Sequence, residues 1–154
     1  MRLQKLIREE HVHLQLEATD VEAALMAVAE RMAPSAGVPA DRIAAALGER
    51  ERLGSTSVGD GFAIPHCKLE GLRSVSIAMA RFNEGIEFGS ADADRVEFVF
   101  VVLSPPDQPA AHLQVLSQIA RLLKRRELRR RLLEAADAST VIETITQLAE
   151  AEGL

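Results

Sequence analysis

The sequence predicts an α/β fold in which a β-sheet is covered by helices on both faces. Three observations carry this expectation. "VSIAMARF" (75–82) and "VEFVFVVLS" (96–104) read as strands, and the second is apolar on both faces, as a central strand should be. Two amphipathic helical patterns precede them, and helical patterning continues from residue 109 to the end. Helices before and after the strands supply cover for two sheet faces, and 154 residues suit a single domain.

Each element has its own signal. "HVHLQL" (11–16) alternates polar and apolar residues, the period of a strand with one buried face. Thr19 and Glu22 have the spacing of a capping box, and Val21, Leu25, Val28, Ala29 and Met32 form the stripe of the helix it opens. "APSAGVPAD" (33–41) is expected to break that helix. A second helix is expected from Ala40 to Arg52, with Ile43, Ala46 and Leu47 inward and Gly54 just beyond its end. "SPPDQPAA" (104–111) is a turn-rich connection, after which helices are expected at 109–125, 127–136 and 139–150.

Composition narrows the class. Hydrophobic residues at 47% and charged residues at 27% describe a folded chain rather than a disordered one. With five Phe and no Trp or Tyr, the core has to be built mainly from aliphatic side chains. A formal charge of −5 argues against a dedicated nucleic-acid binder, which is usually basic. A single cysteine, Cys67, excludes an intramolecular disulfide framework and suits a reducing cytoplasm. The N-terminal "MRLQKLIREEHVHLQL" lacks the apolar centre of a secretory signal, and no run reaches the ~18 apolar residues of a membrane span. The expectation is a cytoplasmic protein with no direct membrane insertion.

The chemistry concentrates in "RERLGSTSVGDGFAIPHCK" (50–68). By residue type alone, His66 fits a polar niche at a strand end. Local features favour a reactive role. Pro65 fixes its own φ and restricts Ile64, stiffening the approach to the imidazole. Gly59 and Gly61 allow close approach of the backbone to a ligand, while Ser55, Thr56 and Ser57 offer hydroxyls suited to an anion. An imidazole, titrating near about 6.5, is a competent neutral nucleophile at cytoplasmic pH. The glycines lack the dinucleotide spacing, and no Gly-Lys-Ser/Thr follows for a P-loop. Any phosphate handled here must therefore arrive already activated on another molecule.

Two further residues join the candidate site. His112 follows Pro109, a good first-turn residue, and so falls near a helix N-terminus, where free N–H groups and the helix dipole favour anions. Its alternative is an ordinary surface histidine. Arg50 can offer a guanidinium to phosphoryl oxygens, or simply be a solvated helix-end charge.

The stretch 50–68 closely resembles the phosphorylation-site motif of enzyme IIA proteins of the fructose/mannitol type in the phosphoenolpyruvate phosphotransferase system. The similarity is greatest to the stand-alone nitrogen-regulatory branch. It continues through "LEGLRSVSIAMARFNEGIEF" and "VEFVFVVLSPPDQPAAHLQVLSQIARLL" into the C-terminal helices. The resemblance implies a three-layer α/β/α sandwich with a mixed central sheet. It implies that His66 takes a phosphoryl group from a histidine of HPr or an HPr-like phosphocarrier of the nitrogen branch. His112 would hydrogen-bond that group or orient His66, and Arg50 falls on the family's active-site arginine. No metal or organic cofactor is called for, since transfer between imidazoles is mainly positioning and charge stabilisation. Cys67 and Asp60 depart from the family's common glycine and asparagine, placing a thiol and a carboxylate in the motif.

The destination of the phosphoryl group is left open. A regulator would act on a target such as a sensor kinase or a potassium-transport protein. A sugar-specific IIA would pass the group to a IIB component, and a non-catalytic binding module would only dock. "KRRELRRR" (124–131) has six basic residues in eight and can be read as an acidic-partner or nucleic-acid surface, or as a solvated helix junction over Leu128, Leu132 and Leu133. Nucleic acid is not expected as a partner. "HVH" (11–13) is read as solvent-facing strand histidines rather than metal ligands, since no further ligand type stands at suitable spacing.

Overall fold

The computed structural model describes residues 2–89 and 94–154. In chain order these form α1 (Leu3–Leu6), a 3-10 turn (Glu9–His11), β1 (Val12–Leu16), α2 (Val21–Ala36) and α3 (Ala40–Leu53). Three short strands follow, β2 (Ser57–Gly59), β3 (Phe62–Ala63) and β4 (His66–Lys68), then the long strands β5 (Ser76–Ile86) and β6 (Val96–Ser104). Helices α4 (Pro109–Leu123), α5 (Arg126–Glu134) and α6 (Ala138–Ala151) close the chain.

The sheet is mixed, in the order β1-β5-β6-β3-β2, with β4 also paired to β6. β5 and β6 are antiparallel, while β1 lies parallel to β5 and both β3 and β4 lie parallel to β6. β3 and β4 run successively along one edge of β6 as a single interrupted strand, Phe62 opposite Phe98 and His66 opposite Val102. The interruption falls at Pro65, which has no N–H to give the ladder, although its carbonyl still accepts from Val102 N at 3.0 Å.

The two-faced apolarity of 96–104 has the expected cause. Phe98, Phe100 and Val102 pack with α4, α5 and α6 through Val115, Ile119, Leu128, Leu132 and Ile145. Val99, Val101 and Leu103 pack on the other face against Leu25, Val28 and Met32 of α2 and Ile43 and Leu47 of α3. The result is the three-layer α/β/α sandwich with a mixed sheet, formed because alternate residues of a strand point to opposite faces.

Several local expectations are corrected. Asp20, not Thr19, caps α2, its carboxylate accepting from Ala23 N at 2.8 Å. Pro34 does not break that helix. It lies close to the last turn, where only one ladder bond is lost, and the helix runs on to Gly37, whose left-handed conformation (φ 71) returns its N–H to Ala33 O. The glycine-containing stretch after Gly54 forms three short strands, and pieces this short carry no legible alternation. His11 is buried with Nε2 2.8 Å from Ser35 Oγ, and His13 is half-buried, so neither is a solvent-facing strand histidine. Leu133 is exposed, because the inward stripe of α5 takes Leu128 and Leu132 and turns the next residue away.

Candidate functional site

The functional residues converge where β6 ends. β4 lies beside the last residues of β6, so His66 stands next to Val102 at the carboxyl edge of the sheet. β6 continues through Pro105 into the turn before α4, whose first turn carries His112 back over the same edge. The two imidazoles meet with ring centroids 5.6 Å apart, inclined at 51°. α3 supplies Arg50 from its last turn. Together with Leu53, Lys68 and Leu113 these residues line a cleft of about 770 Å³.

The hydrogen bonds define what each ring can do. His66 Nδ1 lies 2.7 Å from Ile64 O. A carbonyl only accepts, so Nδ1 carries a proton and donates, and in the neutral ring the lone pair falls on Nε2. Pro65, between the two partners, fixes this short return of the ring onto its own backbone. His112 is buried, and its Nδ1 lies 2.6 Å from Ser104 Oγ, a hydroxyl at the end of β6 with no exposed surface. Burial lowers the His112 pKa first, and the neighbouring charges of His66 and Lys68 lower it further. His112 is thus held neutral near pH 7. Arg50 donates through Nη1 to Gly54 O at 2.9 Å, which ties the guanidinium to the end of its own helix.

The structure brings together His66, His112 and Arg50 and takes the remaining candidates elsewhere. Ser55 Oγ donates to Phe88 O at 2.7 Å and borders a separate groove between α2 and α3. Thr56 is buried, its N–H and hydroxyl both donating to the Glu51 carboxylate. Gly59 and Gly61 shape the β2–β3 turn with φ of 92° and 83°. Gly61 O accepts from Glu97 N and Phe98 N at the start of β6. From Phe98 to Val102 the strand rises about 13 Å, so these glycines serve the opposite end of β6 from His66. Asp60 accompanies them at φ 56, a left-handed position that Asp tolerates, and its charge does not face the cleft.

Cys67 lies along the wall of the same cleft, but its thiol is buried, which pushes its pKa up to about 12, so it is not a thiolate at neutral pH. Three of the six basic residues of the run are ion-paired: Arg125 with Glu127 and Glu152, Arg129 with Glu97, and Arg130 with Glu134. Among the described residues no group of three or more His, Cys, Asp or Glu converges to hold a metal ion. Nor is any helix among them long and apolar enough to cross a membrane. Ser104 and Glu51 are the residues that sequence reasoning missed. Nothing local marks Ser104, at the end of an apolar strand, whereas Glu51 stood in the motif without a role.

The fold is a mixed α/β sandwich with polar residues gathered at the carboxyl edge of its central strand, the place where open α/β sheets form their ligand crevices. The family model for the phosphoenolpyruvate-dependent sugar phosphotransferase system, EIIA 2, matches residues 5–148, and the chain belongs to that family. A nitrogen regulatory protein of Bradyrhizobium diazoefficiens is 33% identical over 145 residues, spanning 94% of this chain and 95% of that protein. A fructose-specific EIIA component of the phosphotransferase system from Haloferax volcanii is 38% identical over 121 residues, 77% of this chain and 79% of that one. Among solved structures, the nitrogen regulatory protein IIA-Ntr of Neisseria meningitidis superposes with a TM-score of 0.88 at 25% identity, covering 93% of this chain and 98% of that chain. The fold is also shared with a complex of mannitol enzyme IIA and phosphorylated enzyme IIB from Escherichia coli, at TM-score 0.78 and 21% identity over 92% of this chain and 97% of that one.

Proposed function

We propose that this chain is a protein-histidine phosphocarrier in which His66 Nε2 accepts the phosphoryl group. The observation that carries the reading is the His66 Nδ1–H bond to Ile64 O, which leaves Nε2 as the nucleophile in a cleft shared with His112 and Arg50. The donor is a phosphohistidine on an HPr-like phosphocarrier protein. The Nε2 lone pair forms the new N–P bond as the donor's N–P bond breaks, and the electron pair leaves with the donor imidazole. Arg50 then stabilises the phosphoryl oxygens electrostatically, and His112 adds a hydrogen bond. No cofactor is needed for this step. The setting is the cytoplasm, where such a phosphocarrier chain operates.

The test is direct. Incubation with phosphoenolpyruvate, enzyme I and HPr should yield an acid-labile phosphoryl adduct on the wild type, read by intact mass, and none on His66→Ala. An undiminished adduct on that variant would overturn the assignment. The role we propose is mainly regulatory, supported by the similarity to the nitrogen regulatory proteins. Its target, such as a sensor kinase or a potassium-transport protein, should bind the unphosphorylated and phosphorylated forms with different affinity. A second reading, delivery to a IIB component, is favoured by the similarity to the fructose-specific protein. Transfer of labelled phosphoryl from this chain to a purified IIB protein separates the two.

A further inference from the structure

We infer that Ser104 is a positioning residue for phosphoryl transfer, its hydroxyl donating to His112 Nδ1 and so fixing the proton of His112 on Nε2, the nitrogen left for the cleft. The protons of this buried pair can be placed in only one satisfied arrangement. Ser104 has no exposed surface, and His112 is the hydrogen-bond partner of its hydroxyl among the described residues. The hydroxyl has one proton to place. If His112 carried its own proton on Nδ1, it would donate to Ser104 Oγ, and the serine proton would be buried without an acceptor. If Nδ1 carries the lone pair, Ser104 donates to it at 2.6 Å and every buried proton is satisfied.

The consequence falls on the reacting group. Nε2 of a neutral imidazole is a donor in one tautomer and a lone pair in the other. A lone pair would repel phosphoryl oxygens, while an N–H would bind them. His112 is the residue for which this choice matters, because burial and the neighbouring His66 and Lys68 keep it neutral. The two histidines are therefore wired oppositely. Ile64 O accepts a hydrogen bond from His66 Nδ1–H and leaves Nε2 a nucleophile, whereas Ser104 donates a hydrogen bond to His112 Nδ1 and leaves Nε2–H a donor. The inference rests on the reading that His66 carries the phosphoryl group, but the tautomer itself does not.

Long-range proton–nitrogen NMR on the 15N-labelled full chain at pH 7.5 reads both rings at once. The expected spectrum shows Nδ1–H at His66 and Nε2–H at His112. Ser104→Ala should turn His112 into a tautomer mixture and slow phosphoryl uptake from phospho-HPr by about fivefold to tenfold, the effect of one hydrogen bond. Ser104→Thr, which retains the hydroxyl, should restore both. A wild-type His112 protonated on Nδ1 overturns the inference, as does Ser104→Ala with an unaltered tautomer or an unaltered rate. Should Ser104→Ala fail to fold, the wild-type spectrum and Ser104→Thr decide. A wild type that takes no phosphoryl group defeats the proposed function, and the tautomer result then still settles the bond.

Discussion

The two ends of β6 are served by the same stretch of chain and are built on opposite terms. At its beginning, the Gly59–Gly61 turn closes on itself: Gly61 O is taken by two amides of β6, and Glu97 is taken by Arg129. At its end, each imidazole is held through its Nδ1, and the guanidinium of Arg50 shares a cleft with the two rings. Satisfied backbone makes a structural corner, whereas half-satisfied side chains facing a cleft make a chemical site. A motif can therefore hold residues for both purposes within a few positions, and residue type does not say which is which.

The contrast can be broken from either end. His66→Ala should remove the phosphoryl adduct completely while the far-ultraviolet circular dichroism stays that of the wild type. Arg50→Ala should slow phosphoryl uptake by about a hundredfold, the scale of losing one fixed group that stabilises charge, measured by rapid-quench transfer from phospho-HPr. Gly61→Ala should behave in the opposite manner. A Cβ there meets Glu97 Oε1 at 3.0 Å and the residue must hold φ +83. The cost is about 1–2 kcal/mol for the left-handed conformation, a fall of several degrees in Tm at an unchanged transfer rate. A Gly61→Ala protein of normal stability but impaired transfer would erase the distinction between the two ends.

Acid and alkali change the stability of the fold by smaller amounts. Burial leads the causes that lower the pKa of His11, His13 and His112 in the folded state. The unfolded chain therefore binds protons first as pH falls, and the stability these histidines contribute is present above about 6.5 and declines on acidification below it. Tm measured from pH 8 down to pH 5 should fall, with no such loss between 8 and 7. Cys67 has the opposite sign: with its folded pKa raised to about 12, its contribution is lost as pH rises above the ordinary thiol range. The smallest effect is a lack of one. Iodoacetamide at pH 7.5 should leave native Cys67 unmodified and label it after unfolding, read by intact mass.

Much of the fold was legible because it is written in local periodicity. The span 96–104 announces a central strand, and its two faces find α4–α6 on one side and α2–α3 on the other. Strands of two or three residues, β2 to β4, were not legible, since they are too short to show a period and exist only because β6 pairs with them. The site divides in the same way. Pro65 beside His66 marks a stiffened imidazole in the sequence, and the helix start before His112 marks an anion-favouring position. Ser55, Thr56, Gly59 and Gly61 carried an equally suggestive local signal and turned out to hold the backbone in place.

The α/β class, the order of the long elements, the reactive candidate His66 and the family motif around it follow from the residues alone, because they depend on residue type, spacing and period. Which residues share a cleft emerges only on folding, since it depends on pairings between distant segments. His66 and His112 meet because β4 adds in parallel to the end of β6 and α4 begins just beyond it. Ser104 enters the site for the same reason, as the residue at which an otherwise apolar strand arrives beside a buried imidazole.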